Sequence, residues 1–324
     1  MNTTERDLPI EQERVSILRM SGWREQSSAK QGLFLLGGTL MIFYLLFRRI
    51  DLAQVFSLLS LLPWHIWILA GVLTLSFPLL SAIRWKTILR TMGHDIPFSR
   101  ATLTIAGVWP LSAVSPSKSG DLLKAYSLRA ELKPMVVAGS VLTERALDVM
   151  VLSVLALLGG IYFRDYRIFS VALTVLIALM AGFVFVRLNV SLPIGHKMQN
   201  QLRDLFLSFR ALWGNPRVTL LILFFTVANW LASIGQTYLL FRGVGADVSL
   251  GFTAAALPIA IFAGLLPISI GGMGTRDTAM VLLFASYASE TQSLAVGLLY
   301  SFFGYWLLAI LGLPLMRRAL GATT

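Results

Sequence analysis

Residues 251–277 read GFTAAALPIAIFAGLLPISIGGMGTRD, and the fold turns on how that stretch is taken. Its apolar run is interrupted by Pro258 and Pro267 and ends in Gly271, Gly272, Gly274, Arg276 and Asp277. The apolar arm that follows is only about 11 residues long. At 1.5 Å of rise per residue it covers roughly 17 Å, well short of the roughly 30 Å of a hydrocarbon layer. A re-entrant hairpin, entering and leaving on one side, accommodates such a segment. Irregular backbone of this kind is tolerated where protein or a wet cavity surrounds it.

A second stretch has the same character. Residues 101–114, ATLTIAGVWPLSAV, are apolar but about 14 long, and a Pro-Ser-Lys-Ser-Gly break at 116–120 precedes DLLKAYSLR. Laid over each other, Ala106-Gly107-Val108-Trp109-Pro110-Leu111-Ser112 and Ala263-Gly264-Leu265-Leu266-Pro267-Ile268-Ser269 share AGxxP[LI]S. Each copy then reaches a glycine-containing break and an acid, Asp121 in the first and Asp277 in the second.

Working outward, the chain is 324 residues long, 56% hydrophobic and only 13% charged, so its solvent is largely lipid. Full spans are expected at about 32–47, 63–83, 135–163, 168–186, 218–241 and 292–316. The fold class is therefore an all-α polytopic membrane protein of about six full spans plus two re-entrant helical hairpins. A single integral membrane domain covers 32–318, flanked by a cytoplasmic N-terminal segment, 1–31, and a tail, 319–324. The half-repeats run at about 63–163 and 218–316. The opening segment mixes acids and bases and has no secretory signal pattern, so the first span is expected to stay as an uncleaved anchor.

Lys and Arg are retained on the cytoplasmic side of short loops. Residues 1–30, 84–134, 187–217 and the C-terminal end hold 20 of them, whereas Arg48, Arg49, Arg164, Arg167 and Arg242 lie in the remaining loops. That bias puts both termini in the cytoplasm, with Arg48 and Arg49 arguing mildly the other way. The first hairpin then enters from the cytoplasm and the second from outside, an inverted repeat of the kind secondary transporters use. Net charge is +11, but it is spread between apolar runs, which favours anionic lipid surfaces over nucleic acid. Residues 196–213 place Met198, Leu202, Leu205, Phe206, Phe209, Leu212 and Trp213 at helical spacing among charges. They are expected to form a helix at the cytoplasmic interface or one packed on another part of the protein.

Glu144, Arg145 and Asp148 sit inside an otherwise apolar span, with both carboxylates on one helical face. An ionised group at mid-membrane costs about 2.5–3.5 kcal/mol, so such groups face a cavity or a partner. Two readings stay open: a face that binds a charged head group, or an internal ion pair of Arg145 that locks helices. Lys118, Gly120, Asp121, Lys124 and Arg129 surround the first break, and Gly271, Gly272, Gly274, Arg276 and Asp277 the second. Glycine-rich turns and helix N-termini suit a phosphate-sized anion. Lys124 and Arg129 are expected at the lipid surface, and Arg84 and Lys86, beside Trp85, as interfacial anchors. The chain has no Cys, and His65, His94 and His196 are scattered, so no cofactor or metal is expected. The GxxxxGK[ST], HExxH and GxSxG signatures are absent.

The stretches PSKSGDLLKAYSLR (116–129), TERALDVM (143–150) and LPISIGGMGTRD (266–277) resemble P-x-x-x-G-[DE], E-R-x-x-D and P-x-x-x-G-G-x-G-x-R-[DE]. These are patterns of the lysylphosphatidylglycerol synthase transmembrane family, also called flippase-like or UPF0104 proteins, in the same order. Glu is that family's usual acid where this chain carries Asp121 and Asp277. The resemblance implies a lipid flippase of the bacterial cytoplasmic (inner) membrane. Its substrate would be a phospholipid, hopanoid or polyprenyl-linked lipid, and its partners another copy or a lipid-modifying enzyme. The chain stops at Thr324, where larger members continue into a soluble aminoacyl transferase, so no synthase activity is expected. An intramembrane enzyme with Glu144, Asp148 or Asp121 as general base, or an accessory subunit, stays open beside the translocator.

Overall fold

The computed structural model describes residues 33–48, 50–187, 196–212 and 214–321. The expected N-terminal segment, Trp213 and residues 322–324 lie outside them. All described elements are helical: α1 (Leu33–Phe47), α2 (Leu52–Ser60), α3 (Trp64–Thr91), α4 (Phe98–Val114), α5 (Leu123–Ser127), α6 (Pro134–Tyr162), α7 (Tyr166–Arg187), α8 (His196–Leu212), α9 (Pro216–Gly243), α10 (Leu250–Gly264), α11 (Thr275–Leu283), α12 (Glu290–Ser301) and α13 (Leu308–Leu320). Short 3₁₀ turns at Pro116–Leu122 and Ile270–Gly272 fill the two breaks, and a π-helical stretch, Phe302–Leu307, joins α12 to α13.

Among the described residues, four helices are long and apolar enough to cross a membrane by length and composition: Trp64–Thr91, Tyr166–Phe185, Pro216–Gly243 and Glu290–Leu320. Helices α1 and α2 form a pair bent by 89° that passes the same test as one broken span. The protein is thus an all-helical, multi-pass membrane protein. Helix starts follow local chemistry. Asp51 caps α2 by accepting from Ala53 N at 2.9 Å, Asn215 caps α9 ahead of Pro216, and Ser249 caps α10. Asn and Ser side chains satisfy N–H groups that have no intrahelical partner.

Both expected breaks are present, and their turns meet. The turn at Ile270–Gly272 packs on the end of α4 so closely that a Cβ on Gly271 would lie 2.5 Å from Ala113 O. Gly271, Gly272 and Gly274 have φ of 59°, 74° and 88°, a region where side chains with a Cβ are strained.

Helices α3 and α9 each have 28 residues and pack on each other. Each ends in a left-handed glycine, Gly93 at φ 85° and Gly245 at φ 73°, followed two residues later by Asp95 or Asp247. The broken helix of each half lies against the last long helix of the other. Helix α4 meets α13, with Leu315 O 3.0 Å from where a Cβ on Gly107 would sit. Helix α10 meets α6, with Ala255 Cα 2.8 Å from the equivalent position on Gly159. Helix α8 packs on α6 at Gly139, and its buried Leu212 joins Ile88, Leu147 and Ile222 in one cluster. Its apolar face is therefore turned at least partly to protein.

Candidate functional site

The site begins on α6. Asp148 lies at the middle of its 29 residues, on the order of 20 Å from either end. The spacing that puts Glu144 and Asp148 on one face points them at α3, and Arg84 fills the gap. Its Nε and Nη2 donate to Glu144 Oε1 at 3.2 and 3.1 Å, and its Nη1 to Asp148 Oδ1 at 2.5 Å. Lys124, from α5, reaches Glu144 Oε2 at 2.7 Å, and Trp230 Nε1, from α9, donates to Asp148 Oδ1 at 2.9 Å. Arg84, Lys124, Glu144 and Asp148 are 2%, 3%, 0% and 4% exposed, so water does not screen them.

Arg84 and Lys124 are not surface cations. Helix α3 continues to Thr91, eight residues past the end expected from hydropathy, which places Arg84 two turns inside the bundle. Lys124 follows a break that folds back under α4, and its Nζ also sits 4.9 Å from the Trp85 ring centre. Lys86 does stay half-exposed, donating to Ile96 O at 2.7 Å and pairing with Asp95 at 3.0 Å. Arg129 lies over the Tyr126 ring, its Cζ 3.7 Å from the centroid.

The first break supplies the rest of this cluster. Asp121 accepts from Ser112 Oγ at 2.6 Å and pairs with Arg145, whose Nη1 also reaches Asp148 Oδ2 at 3.3 Å. Ser112 is the serine of the AGxxP[LI]S pattern, so motif and acid meet directly. Gly120 is needed for that approach, since a Cβ there would be 2.7 Å from Ser112 Cα. Its N–H donates to Ser115 Oγ at 2.8 Å, and at the second break Gly274 N–H donates to Asp277 Oδ2 at 2.9 Å. Both glycine amides are therefore engaged by protein.

At the second break Asp277 pairs with its neighbour Arg276 at 3.2 Å, both buried. Arg276 Nη2 also donates to Ser301 Oγ. Its guanidinium lies against two rings tilted to each other, with Cζ 4.6 Å from the centre of Tyr300 and 5.0 Å from that of Tyr305, the ring centres being 6.4 Å apart. The π-helical turn makes this possible. Residues five apart diverge on an α-helix, whereas an i→i+5 turn brings Tyr300 and Tyr305 to one side. Lys118, with a strained φ of 55°, sets its Nζ 4.6 Å from the same Tyr305 ring.

Two cavities share this neighbourhood. One is lined by Arg84, Asp121, Lys124, Glu144, Arg145 and Asp148 among others. The other is lined by Arg276, Gly271 and Gly264 together with apolar groups. Lys118, Arg145, Asp148, Trp230, Tyr300 and Tyr305 belong to both. The structure thus gathers Lys118, Asp121, Glu144, Arg145, Asp148 and Arg276 around joined space. Asp277, Gly120, Gly272 and Gly274 support its walls from behind. Arg84, Trp230, Tyr300 and Tyr305 were not legible as site residues. Only the position of Arg84 beside an apolar run, and the crowding of aromatics at 300–306, hinted at them. Among the described residues, no group of three or more His, Cys, Asp or Glu side chains is arranged to hold a metal ion.

The chain is similar to known proteins over most of its length. A family model described as the lysylphosphatidylglycerol synthase TM region matches residues 32–312. A UPF0104 membrane protein of Methanocaldococcus jannaschii is 25% identical over 278 residues, covering 76% of this chain and 82% of its own length. A UPF0104 membrane protein of Methanothermobacter thermautotrophicus is 22% identical over 282 residues, with the same two coverages.

Proposed function

The chain belongs to the lysylphosphatidylglycerol synthase TM region family, and from that premise we propose that it moves a polar or anionic lipid between the leaflets of the cytoplasmic membrane. The observation that carries this is the buried charge cluster on cavities at the meeting point of two broken helices, which is where transporters bind substrate. The head group enters between the hairpin turns, against the face bearing Glu144, Arg145 and Asp148, while the acyl chains stay in the bilayer. No covalent step is assigned to the site.

The two halves form an inverted repeat in this scheme, with both termini cytoplasmic and six spans. Swapped contacts support it. Thr74 and Thr226 are each the eleventh residue of their helix, and Arg84 and Gln236 each the twenty-first. Gln236 Nε2 donates to Thr74 Oγ1 at 2.8 Å, and Arg84 Nη1 to Thr226 Oγ1 at 3.5 Å, as a two-fold exchange of α3 and α9 requires. Alternating access then consists of one half rocking on the other. Arg84, paired with two carboxylates where Gln236 meets only neutral groups, makes the two states unequal.

The test is leaflet exchange in vesicles containing purified protein. Fluorescent analogues of an anionic phospholipid, an aminoacylated phospholipid, a hopanoid and a polyprenyl-linked lipid are followed by quenching from outside. Acceleration of at least one, reduced in Glu144→Gln, is expected; rates equal to those of protein-free vesicles for all four refute translocation. Because the chain has no Cys, single cysteines report topology on a clean background. Ser269 is buried, so the exposed Ser119 and Leu266 are the useful positions. Labelling of both from the same side removes the inverted arrangement.

A further inference from the structure

Helix α1 lies outside the two stretches compared above, 63–163 and 218–316, yet it is seated on the second break. Gly38, Thr39 and Ile42 share one face of it. A Cβ on Gly38 would collide with Ile268 O, and a Cβ on Gly274 would lie 3.0 Å from Ile42 Cγ2. Between these contacts Thr39 Oγ1 accepts from Ile270 N–H at 2.9 Å and donates to Leu35 O on its own helix at 2.8 Å. Thr39 is buried, whereas Leu33, Phe34, Leu40, Met41 and Tyr44 are exposed.

The seat matters because of what the turn lacks. Ile270 opens a 3₁₀ turn of three residues, and an N–H at the start of a helical turn has no partner within it. Left unmade in a buried place, such a bond is costly, and Thr39 supplies the acceptor from another helix. The next residue, Gly271, packs on Ala113 O of α4, and Gly271, Gly272 and Gly274 are all left-handed. Glycine crosses between positive and negative φ at little steric cost, so this turn can change shape once it is released. Helix α1 is anchored at its far end, where Leu46 is buried in one apolar cluster with Met280 and Val281 of α11, while Leu33, Phe34 and Leu36 at its start are exposed. The Thr39 bond lies between the anchored end and the exposed one.

Resting on the translocator reading above, we propose that α1 is a latch on the second break. Thr39 holds Ile270 N–H and keeps the turn against α4, where Gly271 meets the end of the first broken helix. Rocking of one half on the other separates the two breaks, so it requires this bond to open. The latch makes the arrangement with the breaks in contact the resting one and sets the rate at which it is left. One neutral hydroxyl carries it, so its strength is that of a single hydrogen bond, small enough to open in each cycle.

The test uses the absence of Cys from the full chain. Ser269, beside Ile270, is fully buried, so in Ser269→Cys the rate of labelling by a water-soluble thiol reagent reports opening of the turn. Ser153→Cys, at an equally buried position on α6, reports general loosening. Thr39→Val removes the acceptor at nearly constant shape. It is expected to speed labelling at 269 about fivefold, the factor that one neutral hydrogen bond represents, and to leave labelling at 153 unchanged. Thr39→Ser keeps the hydroxyl and should return the parental rate. Gly38→Ala, which pushes α1 off Ile268 O, should act in the same direction as Thr39→Val. In vesicles, leaflet exchange of any lipid the parent moves should rise by a similar factor in Thr39→Val. Labelling at 269 that stays parental in both Thr39→Val and Gly38→Ala, or that rises equally at 153, overturns the latch. Exchange no faster than that of an active parent overturns its control of transport. Selective labelling at 269 in a protein that exchanges no lipid supports the latch on the turn and refutes translocation.

Discussion

Arg84→Met removes the cation that bridges both carboxylates of α6, with nearly the same side-chain length. Two ion pairs vanish, at 3.1 and 2.5 Å. Glu144 keeps Lys124 at 2.7 Å and Asp148 keeps Arg145 at 3.3 Å, so neither is wholly abandoned, but the cluster now holds one more carboxylate than it has cations. Breaking a buried pair costs about 3–5 kcal/mol, and the surviving partners set the expectation at the lower end, about 3 kcal/mol. For 324 residues, at about 2.1 cal/mol/K of unfolding entropy per residue, that corresponds to a fall in melting temperature of roughly 4–5 °C in detergent. Glu144→Gln alone leaves Lys124 without its carboxylate and is expected to cost a similar amount. The double variant restores the balance, so its loss should fall short of the summed single losses by about 1.5–2 kcal/mol. The same melts provide all four corners of that cycle. Melting of Arg84→Met within 1–2 °C of the parent, or losses that simply add, refutes the placement of this guanidinium between the two acids.

Ser112→Ala removes the 2.6 Å hydrogen bond to Asp121 and is expected to cost about 1.5–3 kcal/mol, the range for a hydrogen bond to a charged group, read as a lower melting temperature. Gly271→Ala forces a Cβ onto Ala113 O at a φ of 59°, and should cost more than about 2 kcal/mol, whereas Gly71→Ala on α3, with nothing within 4 Å of the added Cβ, should cost none. Asp95 is exposed, and a hydrogen bond from Lys86 holds its carboxyl below the usual range. Its contribution is present above the ordinary carboxylate value near 4 and is lost as pH falls through the lowered folded value. Asp95→Asn should therefore lower stability slightly at pH 7, and parent and variant melts should converge as the pH falls through that lowered value.

The breaks and their acids were legible because hydrocarbon imposes a length rule: arms of 14 and 11 apolar residues cannot cross, and Pro and Gly interrupt them at fixed places. Ser112 and Asp121, nine apart across the first break, meet in the structure, a contact that their spacing alone did not show. The second copy departs from it. Ser269 bonds Thr275 at 3.0 Å while Asp277 closes on Gly274, because three left-handed glycines tighten that turn. Arg84 was misplaced because hydropathy falls at the Arg-Trp-Lys run, although the helix continues; a charge that finds carboxylates on a neighbouring helix no longer ends a span. Gly93 and Gly245, each followed by an aspartate two residues on, are a repeat signal that the AGxxP[LI]S comparison did not reach.

By itself, then, the sequence determined the solvent, the two interruptions and the presence of Glu144, Arg145 and Asp148 within one helix, since each follows from local length, composition and helical spacing. Only the tertiary structure decided which charges face which. Arg84 pairs with residues 60 and 64 positions away, and a π-helical turn sets Tyr300 and Tyr305 about Arg276. Such pairings depend on how α3, α6, α9 and the two turns cross in space, and no periodicity along one helix records the crossing of another.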